Sequence, residues 1–427
     1  MAIRSVILGL LLAFSLSACS SFAPRPPETI GFAERAQSRT LNGVTVTVAA
    51  LDAEETHQLL GRPASAWDIQ AVWVRIENQS EHGYLLAPRF LDPLYYSPLE
   101  AATISHVSFG GETNDAIDRH FQDLAIATTI APGETEEGVI FTTYDEGTKL
   151  VTLALFGRGS HLFIEVLAPA TGVRPDYLDI DFQALYPTEE IVELDEEGLH
   201  DALADLDCCT ATSAEQGDPA DPLNFVLIGD PLQVKSALIR SGWDETELVT
   251  LGSAWRTSAA FLFGEQYRTS PISPLYLFGR RQDGAFQKTR VGIDERNHLR
   301  LWLTPWRFRG KAVWVGAISR DIGVKLTTKA WNLTTHIIDP DVDAERWYLV
   351  QDILAAHSLA GVGWVEGVGR SYAAEPRVNK TGDPYYTDGL RAVMILADEP
   401  QGLDELEVFD WRFPAGGQAR REILNRF

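Results

Sequence analysis

Asn297-His298-Leu299-Arg300-Leu301-Trp302-Leu303-Thr304 is the stretch from which the second half of the chain can be read. Successive side chains of a strand point to opposite faces. Leu299, Leu301 and Leu303 therefore share one face, and His298, Arg300 and Trp302 share the other. Working outward, Leu223 to Ile228 has the composition of a buried strand. Asp230 caps the next helix with Pro231 at its first position, and Gly242 ends it before Trp243. Ala312–Ile318 and Leu333–Ile338 predict two more strands. Asp341 and Asp343 open a helix carrying Trp347, Val350 and Leu354, and Val362–Glu366 and Leu390–Ala397 complete the sheet. The order β-α-β-β-β-α-β-β predicts an α+β domain over residues 222–398, its sheet largely antiparallel and its helices on one face.

Upstream, residues 40–170 show the period of two that marks strands. Val44, Val46 and Val48 alternate with Thr45 and Thr47, and Val72, Val74 and Ile76 alternate with Trp73, Arg75 and Glu77. Turn signals at Asn78-Gln79-Ser80 and Ala131-Pro132-Gly133 separate such runs, which predicts an antiparallel β-sandwich. Short helices over Pro98–Ile104 and Asn114–Phe121 are expected as insertions at one end of it. His120 and His161 stand alone there and suggest no chemistry. Between the domains, residues 171–221 read as an acidic linker with one short helix, on the spacing of Leu199, Ala202, Leu203 and Leu206. Residues 399–427 read as a tail. The fold class expected is all-β plus α+β.

At 427 residues, 45 % hydrophobic and 10 % aromatic, the chain can fill two cores. Its net charge of -24 argues against nucleic acid and against attraction to anionic headgroups. Arg4, the apolar run Val6–Phe14 and the small-residue site Leu16-Ser17-Ala18-Cys19 form a secretory signal. That ending is similar to the lipobox of bacterial lipoproteins, which implies a signal peptide over 1–18 and lipid attachment at Cys19. Ser20 in place of Asp then favours the outer membrane. Two or three acyl chains make a stable anchor. Residues 19–39, with Ser20, Ser21, Pro24, Pro26 and Pro27, read as a spacer between membrane and folded body. The two remaining cysteines, Cys208 and Cys209, are adjacent, and their redox state is open.

Several ordered segments of residues 222–398 resemble the LssY-like C-terminal domain. They are Ser273-Pro274-Leu275-Tyr276-Leu277-Phe278-Gly279-Arg280-Arg281-Gln282-Asp283, Arg296-Asn297-His298-Leu299-Arg300-Leu301-Trp302, Trp314-Val315-Gly316-Ala317 and Thr335-His336-Ile337-Ile338-Asp339-Pro340-Asp341-Val342-Asp343-Ala344-Glu345-Arg346. Asp383-Pro384-Tyr385 and Thr387-Asp388-Gly389 close the set. The resemblance implies no defined reaction. In relatives the domain often follows membrane spans of phosphatidic-acid-phosphatase-like type. This chain has no Pro-Ser-Gly-His motif, and His336 lies too far beyond Ser319-Arg320, so that activity is not carried over. Asn297 and Ile337 also stand where the family pattern pairs histidines.

The candidate ligand-binding residues are Arg280, Asp283, His298, Arg300, Trp302, Asp321, His336 and Asp339. Two imidazoles and a carboxylate suit zinc, and Arg280 and Arg300 suit an anion. No spacing of the HExxH kind fixes such ligands, and Asp339-Pro340-Asp341-Val342-Asp343 lacks the Gly and Glu of a calcium loop. No metal or other cofactor is expected. Nine of eleven tryptophans lie beyond residue 240, where buried rings would be core and exposed rings would serve sugar stacking or a partner. The expectation is a non-catalytic accessory or binding protein of the envelope. Its candidate partners, besides the membrane, are an envelope protein complex, a glycan or a lipid phosphate. The alternative is a metal-assisted hydrolase of a phosphorylated or glycan envelope component.

Overall fold

The computed structural model describes residues 22–145, 147–169, 175, 180–211, 217, 219–246, 272–289, 296–326, 334–379, 382–414 and 416–424. The chain divides into two compact units, Met1–Gly172 and Val173–Phe427.

The amino-terminal unit is a β-sandwich. One sheet has the order β1 (Gln37–Leu41), β2 (Val44–Ala50), β3 (Ile69–Asn78), β6 (Thr135–Thr143). The other runs β5 (Thr129–Ile130), β4 (Tyr84–Ala87), β7 (Thr148–Gly157), β8 (Ser160–Pro169), and every pairing in both is antiparallel. The period-two valines meet between the sheets. Val44, Val46, Val48, Val72 and Val74 pack against Leu86, Val151, Leu153, Leu155, Ile164 and Val166 in one apolar core.

Helices α1 (Ala53–Leu60), α2 (Pro98–Ile104) and α3 (Gly111–Leu124) belong to a second core, on the outer face of the first sheet rather than at an end of the sandwich. Ala101, Ala102, Ile117 and Phe121 pack there with Ala71, Trp73, Val139 and Phe141, the residues that alternate with the sandwich core. The cause is that this sheet is apolar on both faces. Asp52–Glu55 and Ser97–Glu100 capping boxes start α1 and α2.

The segment after Cys19 is not the free spacer that its composition suggested. Phe22 meets His120 edge-on at 5.6 Å, Arg25 N–H donates to the Gln58 carbonyl at 2.7 Å, and Phe32 is buried beside Trp73. Pro24 lies so close to Gly61, whose φ is +65°, that a side chain at 61 would collide with it. Prolines in a sequence report a stiff backbone, not whether a surface waits to receive it.

The carboxyl-terminal unit is built on a ten-stranded sheet. Its path is β13 (Asp244–Glu245), β16 (Gly284–Thr289), β17 (Arg296–Phe308), β18 (Lys311–Leu326), β12 (Phe225–Ile228), β23 (Leu390–Leu396), β20 (Leu359–Glu366), β24 (Glu407–Val408). Two strands leave the path: β19 (Thr334–Ile338) pairs with β18, and β9 (Val192–Leu194) pairs with β17. Most neighbours are antiparallel; β12–β23, β20–β24 and β9–β17 are parallel.

Leu299, Leu301 and Leu303 face α5 (Pro231–Arg240) and α6 (Val342–Ala355) in one core, with Phe225, Trp314, Leu349 and Ile353. The opposite face is covered as well. There α4 (Glu196–Asp205) and a small sheet of β11 (Pro219–Pro222), β10 (Cys209–Ala211), β14 (Tyr276–Leu277) and β15 (Arg280–Arg281) pack on Trp302, Val313, Val315 and Val393. Helices therefore sit on both faces, not on one.

Residues 180–211, read as linker, thus carry part of this core through Leu199 and Leu203. The buried Arg391 fastens them, donating to the carbonyls of Leu203, Leu206 (2.8 Å), Asp207 (2.6 Å) and Leu223 (2.9 Å). Residues past 398 are not a loose tail either: they supply β24, the core ring of Phe409 and helix α7 (Gly417–Leu424).

Candidate functional site

Two places in the carboxyl-terminal unit bring polar side chains together. The first lies at one end of the sheet face opposite α5 and α6. Register sets Gln287, His298 and Ser319 side by side on β16, β17 and β18. Ser319 Oγ and His298 Nε2 are 2.9 Å apart, and His298 Nδ1 stands 3.7 Å from Asp321 Oδ1. Arg296 donates to Asp321 at 3.2 Å and to Gln287 at 2.9 Å. Arg300 donates from Nε and Nη2 to the Ser273 carbonyl (3.2 and 3.0 Å) and from Nη1 to Asp221 at 3.4 Å. Burial pushes the Asp221 carboxyl up, against the pull of Arg300.

Apart from Ser273, all of these residues are buried, so each polar side chain must be held by a partner. The network ties β16, β17, β18, β11 and the 272–275 segment into one block. Cys208 and Cys209 are disulfide-bonded to each other at its margin, and Cys209 Sγ lies 3.8 Å from the Tyr385 hydroxyl.

Of the residues singled out in the sequence, His298, Arg300 and Asp321 share this network. Arg280 and Asp283 sit apart from it, near Leu303 on β17, as a clamp. Arg280 makes two 2.9 Å bonds to Asp283 and donates to Tyr186 and to the Leu303 carbonyl, while Asp283 accepts the Leu303 N–H at 2.7 Å. Trp302 is fully buried in the apolar core. Asp339 accepts the Asp341 N–H. The His336 backbone pairs with Val324, and its side chain lies outside the described ones. Among the described residues, no group of three or more His, Cys, Asp or Glu side chains is placed to hold a metal ion.

The second place is a cleft of about 490 Å³ beside α6. Its wall is aromatic. Trp347 of α6 is 48 % exposed, Trp364 of β20 stands 6.3 Å from it, and Phe413, 71 % exposed, lies 5.3 Å beyond Trp364. Its floor is ionic, with Asp343, Arg346, Asp388 and Arg420. Arg346 holds Asp388 through two 2.9 Å bonds and donates to the Leu390 carbonyl. Asp343 accepts the Thr387 hydroxyl at 2.6 Å and the Asp388 N–H at 2.8 Å. Arg420 of α7 bonds Asp343 at 2.7 Å and also bonds Asp341, which caps α6 through the Ala344 N–H.

Burial raises the Asp343 carboxyl. It would raise Asp388 too, but the two bonds and the charge of Arg346 outweigh it and hold that carboxyl low. Two carboxylates and two guanidiniums line the cleft, so its formal charge balances.

The cleft is not visible in any local stretch of the sequence. Locally, Asp341 and Asp343 read as the opening of a helix and Trp347 as a residue along it. The signal present was Asp-Pro-Asp-Val-Asp-Ala-Glu-Arg at 339–346 together with Thr-Asp-Gly at 387–389. Phe413 and Arg420 carried none, because they enter from the far end of the chain.

Fold and polar architecture define this unit as an α+β domain whose central sheet is enclosed on both faces. The LssY C-terminus family model matches residues 202–390, and the chain carries an LssY-like C-terminal domain. No curated protein compared with the chain matches it.

Proposed function

We propose that this is a lipid-anchored outer-membrane protein that binds a saccharide ring of an envelope glycan in the cleft beside α6, as an accessory that leaves the glycan intact. The observation that carries this reading is the pairing of the aromatic wall with the charge-balanced floor. A cavity of about 300–1,000 Å³ lined by apolar rings and a few fixed polar groups is the usual form of a small-molecule site. The apolar face of a sugar ring suits Trp347 and Phe413. Its hydroxyls both donate and accept, and Asp343 and Arg420 offer acceptors and donors side by side. A lipid phosphate would meet two carboxylates, and a cation would meet two guanidiniums, so a neutral polyhydroxylated ring suits the floor better than either. Attachment to the membrane rests on the lipobox at Cys19.

The test is calorimetric titration of the full chain, in a detergent without sugar headgroups, with chitotetraose, maltotetraose and a peptidoglycan disaccharide peptide. Saturable binding of one of them, lost in Trp347→Ala and recovered in Trp347→Phe, with the saccharide unchanged by mass, is expected. No binding across the panel, or binding unaffected by Trp347→Ala, overturns the cleft. Cleaved products point to the hydrolase alternative.

A further inference from the structure

The place where the amino-terminal unit takes up the chain after Cys19 has a consequence for how that unit meets the membrane. Phe22 is already packed on His120 of α3, and Pro24 on Gly61 beyond α1. Only Ser20 and Ser21 lie between Cys19 and Phe22, so even a fully extended chain spans no more than about 11 Å between them. Acyl chains on Cys19 would therefore hold the helical layer of this unit against the leaflet that contains them.

That same layer also exposes apolar side chains. Leu94, Tyr95, Leu99, Ile104 and Phe109 are all exposed, within a window of sixteen residues that includes α2 and the turn into α3. Single exposed apolar residues need no cause, but a concentration of large ones marks a surface that meets something apolar. Phe109 has no burial at all, and it holds a φ of +61°, a left-handed conformation uncommon for a bulky side chain.

The window adjoins the point of chain uptake. Arg62, next to the Gly61 that receives Pro24, donates from Nε to the Ser105 carbonyl at 2.9 Å, and Ile104 is the neighbour of Ser105. In and beside the window Glu100, Glu112, Asp115 and Asp118 outnumber the cation Arg119, so a leaflet of anionic headgroups is disfavoured. The fitting partner is a zwitterionic phospholipid surface.

We propose that residues 94–109 seat the amino-terminal unit directly on the zwitterionic phospholipid leaflet that holds the anchor, with Leu94 and Phe109 entering between headgroups. The proposal rests on the lipid-anchor reading of Cys19. A seat plus acyl chains gives two membrane signals, which retain a protein better than either does alone.

The experiment places an environment-sensitive nitrobenzoxadiazole probe on a Phe109→Cys variant of the full lipidated chain, reconstituted in phosphatidylethanolamine–phosphatidylcholine vesicles. A second preparation carries it at Val378→Cys, an exposed position of the other unit. Intact mass reports the lipid on Cys19 separately. The expected result is a blue-shifted emission at 109, quenched several-fold by nitroxide-labelled lipid, with the 378 probe unaffected. A lipidated protein whose 109 probe behaves like the 378 probe overturns the seat and leaves the anchor standing. A protein without the lipid mass overturns the anchor, and the seat with it.

Discussion

The sandwich of the amino-terminal unit and the central sheet of the carboxyl-terminal unit use the same pleat for different ends. Between the sandwich sheets the meeting side chains are apolar except at one end, where Lys149 donates to Gln70 across the two sheets at 3.1 Å. The ten-stranded sheet has a similar apolar stripe through Val226, Val315 and Val393, but on β17 and β18 that face becomes polar at His298, Arg300, Ser319 and Asp321. Apolar burial is non-directional, so a sandwich needs only the right alternation and about the right volume. Buried polar groups need particular partners at particular distances, and losing one strands the rest. The comparison teaches that the first unit should tolerate exchange in its core better than the second tolerates exchange in its networks.

The largest effect expected is at Arg346. Its removal leaves Asp388 buried without the guanidinium that holds it, and breaking a buried pair in this way costs about 3–5 kcal/mol. Arg346→Ala should unfold β23 and α6 in denaturant well before the wild type, as read by amide hydrogen exchange. Arg346→Met with Asp388→Leu should recover much of the loss. If the single variant costs under about 1 kcal/mol, the contrast between the units is broken.

Leu153→Ala, in the middle of the sandwich core, should cost about 2–4 kcal/mol through lost transfer and the cavity left behind. Hydrogen exchange should rise in β3, β6 and β7. Leu153→Met should be nearly silent, since it conserves volume.

A smaller effect, with a defined pH dependence, is expected at Lys235. Burial brings its ammonium down to about 8 from the usual 10.5. Between those values the unfolded chain binds the proton and the folded one does not, so this residue makes stability rise as pH goes from about 8 to 10. Lys235→Met should raise stability at pH 7 by about 1 kcal/mol and remove its part of that rise, measured by urea denaturation at each pH. A variant that is less stable at pH 7 refutes the assignment.

The smallest effect is at the exposed Arg309–Glu407 pair. Arg309 holds the Glu407 carboxyl below its usual range, so the contribution is present at neutral pH and lost in acid. Arg309→Ala should change stability by no more than about 0.5 kcal/mol, and less in 1 M salt. A larger loss would show that surface charge matters more here than either core.

Much of the fold was legible because it is written in short periods. The alternation at 297–304, the valines at 44–48 and 72–76, and the Asp230–Pro231 helix start each depend on a few neighbouring residues. The segments flanking the second domain were less legible. Leu199 and Leu203 showed a helix, but nothing local showed that the face opposite α5 and α6 would need it. The Pro-rich stretch after Cys19 looked like a spacer because Gly61, which makes room for Pro24, lies 37 residues away. The candidate network was half legible. His298, Arg300 and Asp321 sit on adjacent strands, whereas Arg280, Asp283 and Trp302 proved to serve a clamp and a core.

The sequence by itself determined which residues face which side of each strand, where the helices begin, and that the carboxyl-terminal segment resembles an LssY-like domain. All of this follows from backbone geometry and capping, which act over a few residues. Only the tertiary structure decided that α4 and the small sheet close the second face, and that Trp347, Trp364, Asp388, Phe413 and Arg420 line one cleft. Those residues span 74 positions of chain and meet because β20 and β23 are neighbours in the sheet and α7 returns to the start of α6. Strand order and chain return depend on which pairings and packings close the whole core together, and no local window of sequence contains that information.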